Sequence, residues 1–242
     1  MKRAYVDLHS HYLPNIDDGV RTAAEGLSVL AGLAKLGFER VIATPHIRTA
    51  MFENRRPALE RAFAELEALA RDQADLPQLG LAAEHYCDDV FFSLFRSGEA
   101  VPYPGGHAAL VELHYDVWPS RIEQRFFEMQ LKRVRPVLAH PERYAALARA
   151  TDPLDPLLDA GVLTLLDLMA LVGKYGERTQ RAAERMLDEG AYDAACSDIH
   201  RETDLPIVER SIARLVELVG AARAEAMLAV HPAEILAGRY EP

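Results

Sequence analysis

Two cysteines in 242 residues cannot build a disulfide framework. Cys87 and Cys196 stand far apart and neither belongs to a Cys-x-x-Cys pair. Basic side chains are in deficit: 27 Lys and Arg face 37 Asp and Glu, for a formal net charge of -10. A nucleic-acid partner needs a basic footprint, and the composition offers none. Long apolar runs are missing too. Nothing approaches the ~20 consecutive apolar residues of a membrane span, so no membrane insertion is expected. Met1-Lys2-Arg3 leads straight into a strand-like segment without an apolar signal core, and the expected location is the cytoplasm. With no linker, low-complexity tract or internal repeat, residues 1–242 read as a single domain.

What is present is an alternation of strand and helix patterns. Half of the residues are apolar, enough for a substantial core. A strand pattern covers 4–8. A helix pattern covers 22–36, with Leu27, Leu30, Leu33 and Leu36 at helical spacing and Gly37 as the stop. Further short apolar runs lie at 40–43, 79–83, 108–113, 136–139, 162–166 and 191–196. Helical patterns at 55–72, 120–133, 177–189 and 206–219 separate most of them. Seven apolar strands with intervening helices predict a parallel sheet closed into an α/β barrel. The stretch 98–106 reads as a surface loop, and helices at 221–230 and 232–237 are expected on the outside.

In such barrels, chemistry sits at the C-terminal ends of the strands. His9 and His11 are two residues apart at the end of the first strand, so strict alternation places both imidazoles on one face and Val6, Leu8 and Ser10 on the other. Asp17-Asp18-Gly19 follows. Asp17 suits a turn or a helix cap there. The second strand ends in Thr44-Pro45-His46, the third at Glu84, the fourth carries Glu112, the fifth ends at His140, and the sixth ends near Asp167. The seventh delivers Asp198 and His200, which repeat the spacing of His9 and His11. Glu112 sits inside an apolar run, and a buried carboxylate needs a cation as partner. So many strands ending in imidazole or carboxylate predict a site for divalent metal. His85, His107, His114 and His231 lack this patterning, although His114 is close enough to line the mouth. Neither cysteine is a nucleophile candidate: Cys87 is followed by Asp-Asp-Val-Phe-Phe and Cys196 by Ser-Asp-Ile-His-Arg, so the C-x5-R loop of cysteine-dependent phosphatases is absent.

The segments D-L-H-S-H-Y-L-P-N-I-D-D-G, T-P-H-I, A-A-E-H-Y, A-L-V-E-L, P-V-L-A-H-P-E-R-Y and C-S-D-I-H run in this order from Asp7 to His200. In these motifs the chain resembles the polymerase-and-histidinol-phosphatase (PHP) superfamily of metal-dependent phosphoesterases. Within it, the D-D-G and H-P-E-R-Y segments are similar to those of the bacterial capsule and exopolysaccharide tyrosine phosphatases of the CpsB/YwqE type. The resemblance implies the PHP fold, a distorted TIM-like (β/α)7 barrel. It implies three divalent ions, manganese first, with iron or zinc as alternatives. The ligands it implies are His9, His11, Asp18, His46, Glu84, Glu112, His140, Asp198 and His200, with Asp18, His46 and His200 around one ion and Glu84 bridging the other two. Arg143 matches the family's phosphate-binding arginine. The implied substrate is the phosphotyrosine-bearing tail of a bacterial tyrosine kinase that controls polysaccharide export. A small-molecule phosphomonoesterase or phosphodiesterase on the same barrel is the alternative. A regulatory metal-binding protein without activity is a third reading, against which the complete ligand set argues. Homo-oligomers are compatible with the resemblance, but no interface can be read from the sequence. Two places depart from the family pattern: Asp204-Leu205-Pro206 stands where an Arg-Pro pair is usual, and Leu166-Asp167-Leu168 where asparagine is usual.

Overall fold

The structure, a computed structural model, describes residues 4–71 and 73–242. Nine parallel strands form its centre: β1 (Tyr5–Ser10), β2 (Phe38–Ala43), β3 (His46–Ile47), β4 (Gln78–Leu81), β5 (Glu84–Tyr86), β6 (Ala108–Glu112), β7 (Arg135–Ala139), β8 (Leu163–Asp167) and β9 (Ala194–Cys196). They pair as β1-β2-β4 and as β3-β5-β6-β7-β8-β9. β2 runs on into β3, and β4 into β5, so the nine strands occupy seven positions. The first interruption falls at Thr44-Pro45, where proline has no N–H to give to a ladder. Backbone hydrogen bonds carry the sheet across both breaks, from Ala82 N to Ala43 O (2.8 Å) and from Glu84 N to Pro45 O (3.2 Å). The ring closes where Asp198 N donates to His9 O and His11 N to Ile199 O, both at 2.9 Å. A (β/α)7 barrel is therefore the architecture, as the strand and helix alternation predicts.

The helices α1 (Ala23–Leu36), α2 (Arg56–Ala70), α3 (Asp89–Ser97), α4 (Ile122–Leu131), α5 (Asp155–Asp159), α6 (Glu177–Asp188), α7 (Leu205–Glu225) and α8 (His231–Ala237) complete the fold. Thr22 caps α1 by accepting from Glu25 N, and Gly37 ends it in the left-handed region at φ 105°. The predicted end of the second helix at Asp72 lies outside the described residues. Helix α3 is an addition to the expected set: Asp88 caps it and Gly98 stops it. Gly220, at φ 78° and ψ 161°, breaks the helical path inside α7 and divides the two patterns expected at 206–219 and 221–230.

Two apolar layers result. The outer one joins Val41, Val111, Leu138 and Leu166 of the strands to Leu33, Leu66, Phe126 and Leu215 of the helices. The inner one fills the barrel with Val6, Leu8, Ile42, Leu110, Val137, Leu165 and Cys196. This overturns part of the face assignment for β1, since Val6 and Leu8 point inward, below His9 and His11. The register explains it. Asp7 lies opposite Val41 but Ser10 opposite Ala43, so β1 carries one extra residue in between. Such a bulge re-aims every side chain beyond it, turning both histidines into the mouth.

Two other expectations fail. Ile235, Leu236 and Tyr240 join the inner layer, so α8 plugs the base of the barrel rather than lying on its outside. The stretch 98–106 is anchored inside: Ala100, Val101 and Tyr103 are buried, and Tyr103 OH donates to Leu8 O (2.9 Å). Ala100 and Val101 join the outer apolar layer and Tyr103 the inner one, which gives them more apolar contact than a surface loop could.

Candidate metal centre

Six of the seven strand positions deliver nine ligand-capable side chains to one end of the barrel. His9 and His11 come from the bulged end of β1, His46 and Glu84 from the first residues of β3 and β5, and Glu112 from the last residue of β6. His140 follows β7, and Asp198 and His200 follow β9. Asp18 comes from the loop after β1. Gly19 lets that loop close, because a Cβ there would lie 2.2 Å from His11 O. His140 and Asp198 adopt φ of 32° and 45°, a region that side chains rarely enter and that costs about 1–3 kcal/mol per residue. In both, the side chain reaches the cluster, His140 at Glu84 and Asp198 at His9.

The ligand atoms fall into four overlapping groups, each within 4.8 Å: His11, Asp18, His46 and His200; His9, His11 and Glu84; His9, His140 and Asp198; His46, Glu84 and Glu112. All nine predicted ligands are thereby brought together. Glu84 lies at the centre, with Oε2 3.3 Å from His9 Nε2 and 2.9 Å from His46 Nδ1, and Oε1 2.9 Å from His140 Nε2. His9 Nε2 and His11 Nε2 face each other at 3.1 Å. Asp198 Oδ1 is 3.0 Å from His9 Nε2. Asp18 Oδ1 is 3.5 Å from both His46 Nε2 and His200 Nε2.

The donor set fits divalent cations. His9 Nδ1, His140 Nδ1, Glu84 Oε2, both oxygens of Glu112 and Asp198 Oδ1 are buried and make no hydrogen bond among the described residues. Leaving so many polar atoms unsatisfied is costly unless a cation meets the carboxylates. Mixed imidazole and carboxylate donors suit manganese, iron and zinc. The electrostatics agree. Burial would raise the Glu84 carboxyl, yet His9 and His46 hold it well below the ordinary carboxylate range. Burial would lower the His9 imidazole, yet Glu84 and Asp198 hold it well above its ordinary value. The cluster thus stabilises positive charge among its carboxylates.

Supporting groups fix the candidate ligands. His11 Nδ1 donates to Asp17 Oδ2 (2.7 Å) and His200 Nδ1 to Asp198 O (2.8 Å), which leaves each Nε2 facing the cluster. Asp17 also accepts from the amides of Gly19 and His46. It is thus an orienting residue as well as a turn residue, and only its place beside Asp18 hinted at that. Asp7 accepts from His9 N and from the amide and hydroxyl of Ser197, tying the end of β1 to the loop after β9; burial, against these bonds, pushes its carboxyl up to about 6. Asp167 stands apart from the ligand cluster. It accepts from Met169 N and pairs with Arg143. Behind it Glu142 accepts from Asp167 N and Tyr192 OH, and burial together with the neighbouring Asp167 pushes its carboxyl up to about 8.

Arg143 pairs with Asp167 and Asp198 and lies 3.9 Å from the centre of the Tyr175 ring; its Nε is buried with no hydrogen-bond partner among the described residues. His85 is structural, sharing Nδ1 with Leu110 O and accepting at Nε2 from Val101 N. His114 and Arg201 are exposed and stand outside the cluster. Arg48, unmarked in the sequence, brings NH1 to 3.5 Å from Glu112 Oε2.

The comparisons with known proteins agree with this geometry. A family profile described as "Capsular polysaccharide synthesis, CpsB/CapC" matches residues 5–237. The tyrosine-protein phosphatase YwqE of Bacillus subtilis is 26% identical over 196 residues, spanning 81% of this chain and 77% of its own. The tyrosine-protein phosphatase CpsB of Streptococcus pneumoniae is 23% identical over 237 residues, spanning 96% and 98%. The crystal structures of YwqE and CpsB, described as unique metal-dependent tyrosine phosphatases, include a match with TM-score 0.88 at 23% identity that covers 97% of this chain and 95% of that one. The phosphotriesterase homology protein of Escherichia coli shares the barrel more distantly, with TM-score 0.57 at 12% identity over 98% and 99%. With its family profile running from the first barrel strand to the end of α8, this chain belongs to the CpsB/CapC capsular polysaccharide synthesis family.

Proposed function

We propose that this chain is a metal-dependent protein-tyrosine phosphatase, with residues 1–242 forming one catalytic domain. The observation that carries the reading is the nine-residue cluster and its orphaned buried donor atoms. His9, His11, Asp18, His46, Glu84, Glu112, His140, Asp198 and His200 would hold up to three divalent ions, manganese first. Bound there, such ions supply Lewis acidity toward a phosphoryl oxygen and make water acidic enough to react near neutral pH.

The chain's own residues do the rest. Asp17 and the Asp198 carbonyl hold the His11 and His200 rings so that each Nε2 faces the cluster. Arg143 is kept charged by Asp198 and Asp167 against the effect of burial, and its free Nε is a donor for a phosphoryl oxygen. Asp167, anchored by Glu142, keeps that guanidinium in place. A phenolate leaving group, with a pKa of about 10, needs less protonation than an alkoxide, which makes phosphotyrosine the easier ester.

The proposed substrate is a phosphotyrosine segment of a bacterial tyrosine kinase that governs capsule or exopolysaccharide synthesis, met in the cytoplasm. The relatives' names and the family description support this. Among the described residues no helix is long and apolar enough to cross a membrane. The test is phosphate release by manganese-loaded protein from phosphotyrosine peptide, phosphoserine peptide, histidinol phosphate and a generic phosphodiester, with His140→Ala as blank. Preference for phosphotyrosine is expected. Activity confined to a small molecule or a diester would move the protein to another substrate class.

A further inference from the structure

Two arginines reach the cluster, and they are held differently. Arg143 is committed: it hydrogen-bonds Asp167 and Asp198 from one side of the mouth. Arg48 approaches from the other side, next to β3. Its backbone is pinned, since Arg48 N donates to Phe52 O (2.9 Å) and Phe52 N to Arg48 O (2.8 Å). The Phe52 ring in turn stacks on the ligand His46 at 5.3 Å, nearly parallel. The Arg48 guanidinium lies 4.4 Å from the centre of the Tyr86 ring, and Tyr86 is the register partner of Glu112. NH1 then stands 3.5 Å from Glu112 Oε2, too far for a strong hydrogen bond. Among the described residues the guanidinium makes no hydrogen bond to a protein acceptor, and its side chain is 23% exposed at the mouth.

A guanidinium has five donors in a planar fork that matches phosphate oxygens. Here that fork is oriented by an aromatic face, faces the ligand cluster and has its donors unspent. We infer that Arg48 is a second phosphate-binding residue, grasping the non-bridging oxygens of the phosphoryl group from the Glu112 side while Arg143 acts from the Asp198 side. The inference rests on the phosphatase reading and deepens it. The opposing role, an arginine that only orients Glu112, would act through that carboxylate, and its removal would change phosphate affinity only in step with metal content.

The test is binding of inorganic phosphate to the manganese-loaded protein by calorimetry, beside KM and kcat for 4-nitrophenyl phosphate and the metal content of each variant. Arg48→Ala should weaken phosphate binding and raise KM together, by about tenfold to a hundredfold, with metal content unchanged. Arg48→Lys should recover part of the loss, as a point charge without the fork. Tyr86→Leu should give a smaller loss of the same kind. Phosphate affinity and KM unchanged in Arg48→Ala, or a loss that tracks loss of metal, would overturn the inference. If Arg48→Ala does not fold, Arg48→Gln, equal in reach and uncharged, decides by the same readouts. Wild-type protein with neither phosphate affinity nor ester hydrolysis would overturn the phosphatase reading, and this inference with it.

Discussion

The two ends of the barrel are built from the same strands and could hardly differ more. At the base, Val6, Ala108, Leu163 and Ala194 close against Ile235, Leu236 and Tyr240, and polar groups are paired off. Asp193 there accepts from Thr164 N (2.8 Å) and Tyr240 OH (3.1 Å), and its carbonyl takes His231 Nδ1 (2.7 Å). At the mouth the next inward positions are imidazole and carboxylate, two of them on left-handed backbone, with buried oxygen and nitrogen atoms left unpaired. One end satisfies its polar groups internally; the other leaves them for something to bind. Stability and chemistry are thus separated along the barrel, a few residues apart on each strand.

Substitutions at the two ends should therefore read out differently. The largest effect is expected for Glu84→Ala, which removes the carboxylate shared by His9, His46 and His140. Turnover should fall about a hundredfold to a thousandfold or more, with the far-ultraviolet dichroism retained. Unchanged turnover would show that the centre of the mouth does no chemistry. Asp17→Asn should cost less, about tenfold to a hundredfold in metal affinity, because it releases the tautomer and tilt of His11 without removing a ligand. Metal titration of the variant checks it.

At the base the readout should switch. Leu236→Ala should lower stability by about 2–5 kcal/mol, measured by urea denaturation, while leaving metal content and the KM for an aryl phosphate unchanged at temperatures where it stays folded. A change in KM would mean that the two ends are coupled. The smallest effect is a pH dependence. Burial raises the Asp193 carboxyl above its ordinary value, against the bonds from Thr164 and Tyr240. Its contribution to stability is therefore complete below the unfolded-state value, about 4, and declines as pH rises through the higher folded value. In Asp193→Asn that decline should vanish from the pH profile of unfolding; an identical slope in both proteins would assign it to another group.

Much of this was legible in the sequence. Short apolar runs ending in His or an acid point to barrel strands, and the nine predicted ligands, Asp18 of the loop after β1 included, converge. Less visible were features set by contacts distant in sequence. The bulge in β1 depends on how Asp7 and Ser10 register against Val41 and Ala43, so alternation alone misplaces Leu8. Which of two adjacent aspartates orients His11 depends on the close approach of Gly19 to that residue's backbone. The burial of Tyr103 and the seating of α8 beneath the barrel depend on an open end that exists only once the ring has closed. Helix α3 is a different case. Asp88 and Gly98 are ordinary cap signals, obscured by the aromatic run between them.

Everything at the mouth turns on its binding divalent metal through these side chains. The most direct test is elemental analysis of wild-type and Glu84→Ala protein after equilibration with manganese and gel filtration. Several ions per wild-type chain, approaching three, are expected, with a clear loss in the variant. Wild-type protein that retains no metal, or a variant that retains as much, would contradict metal binding through these side chains.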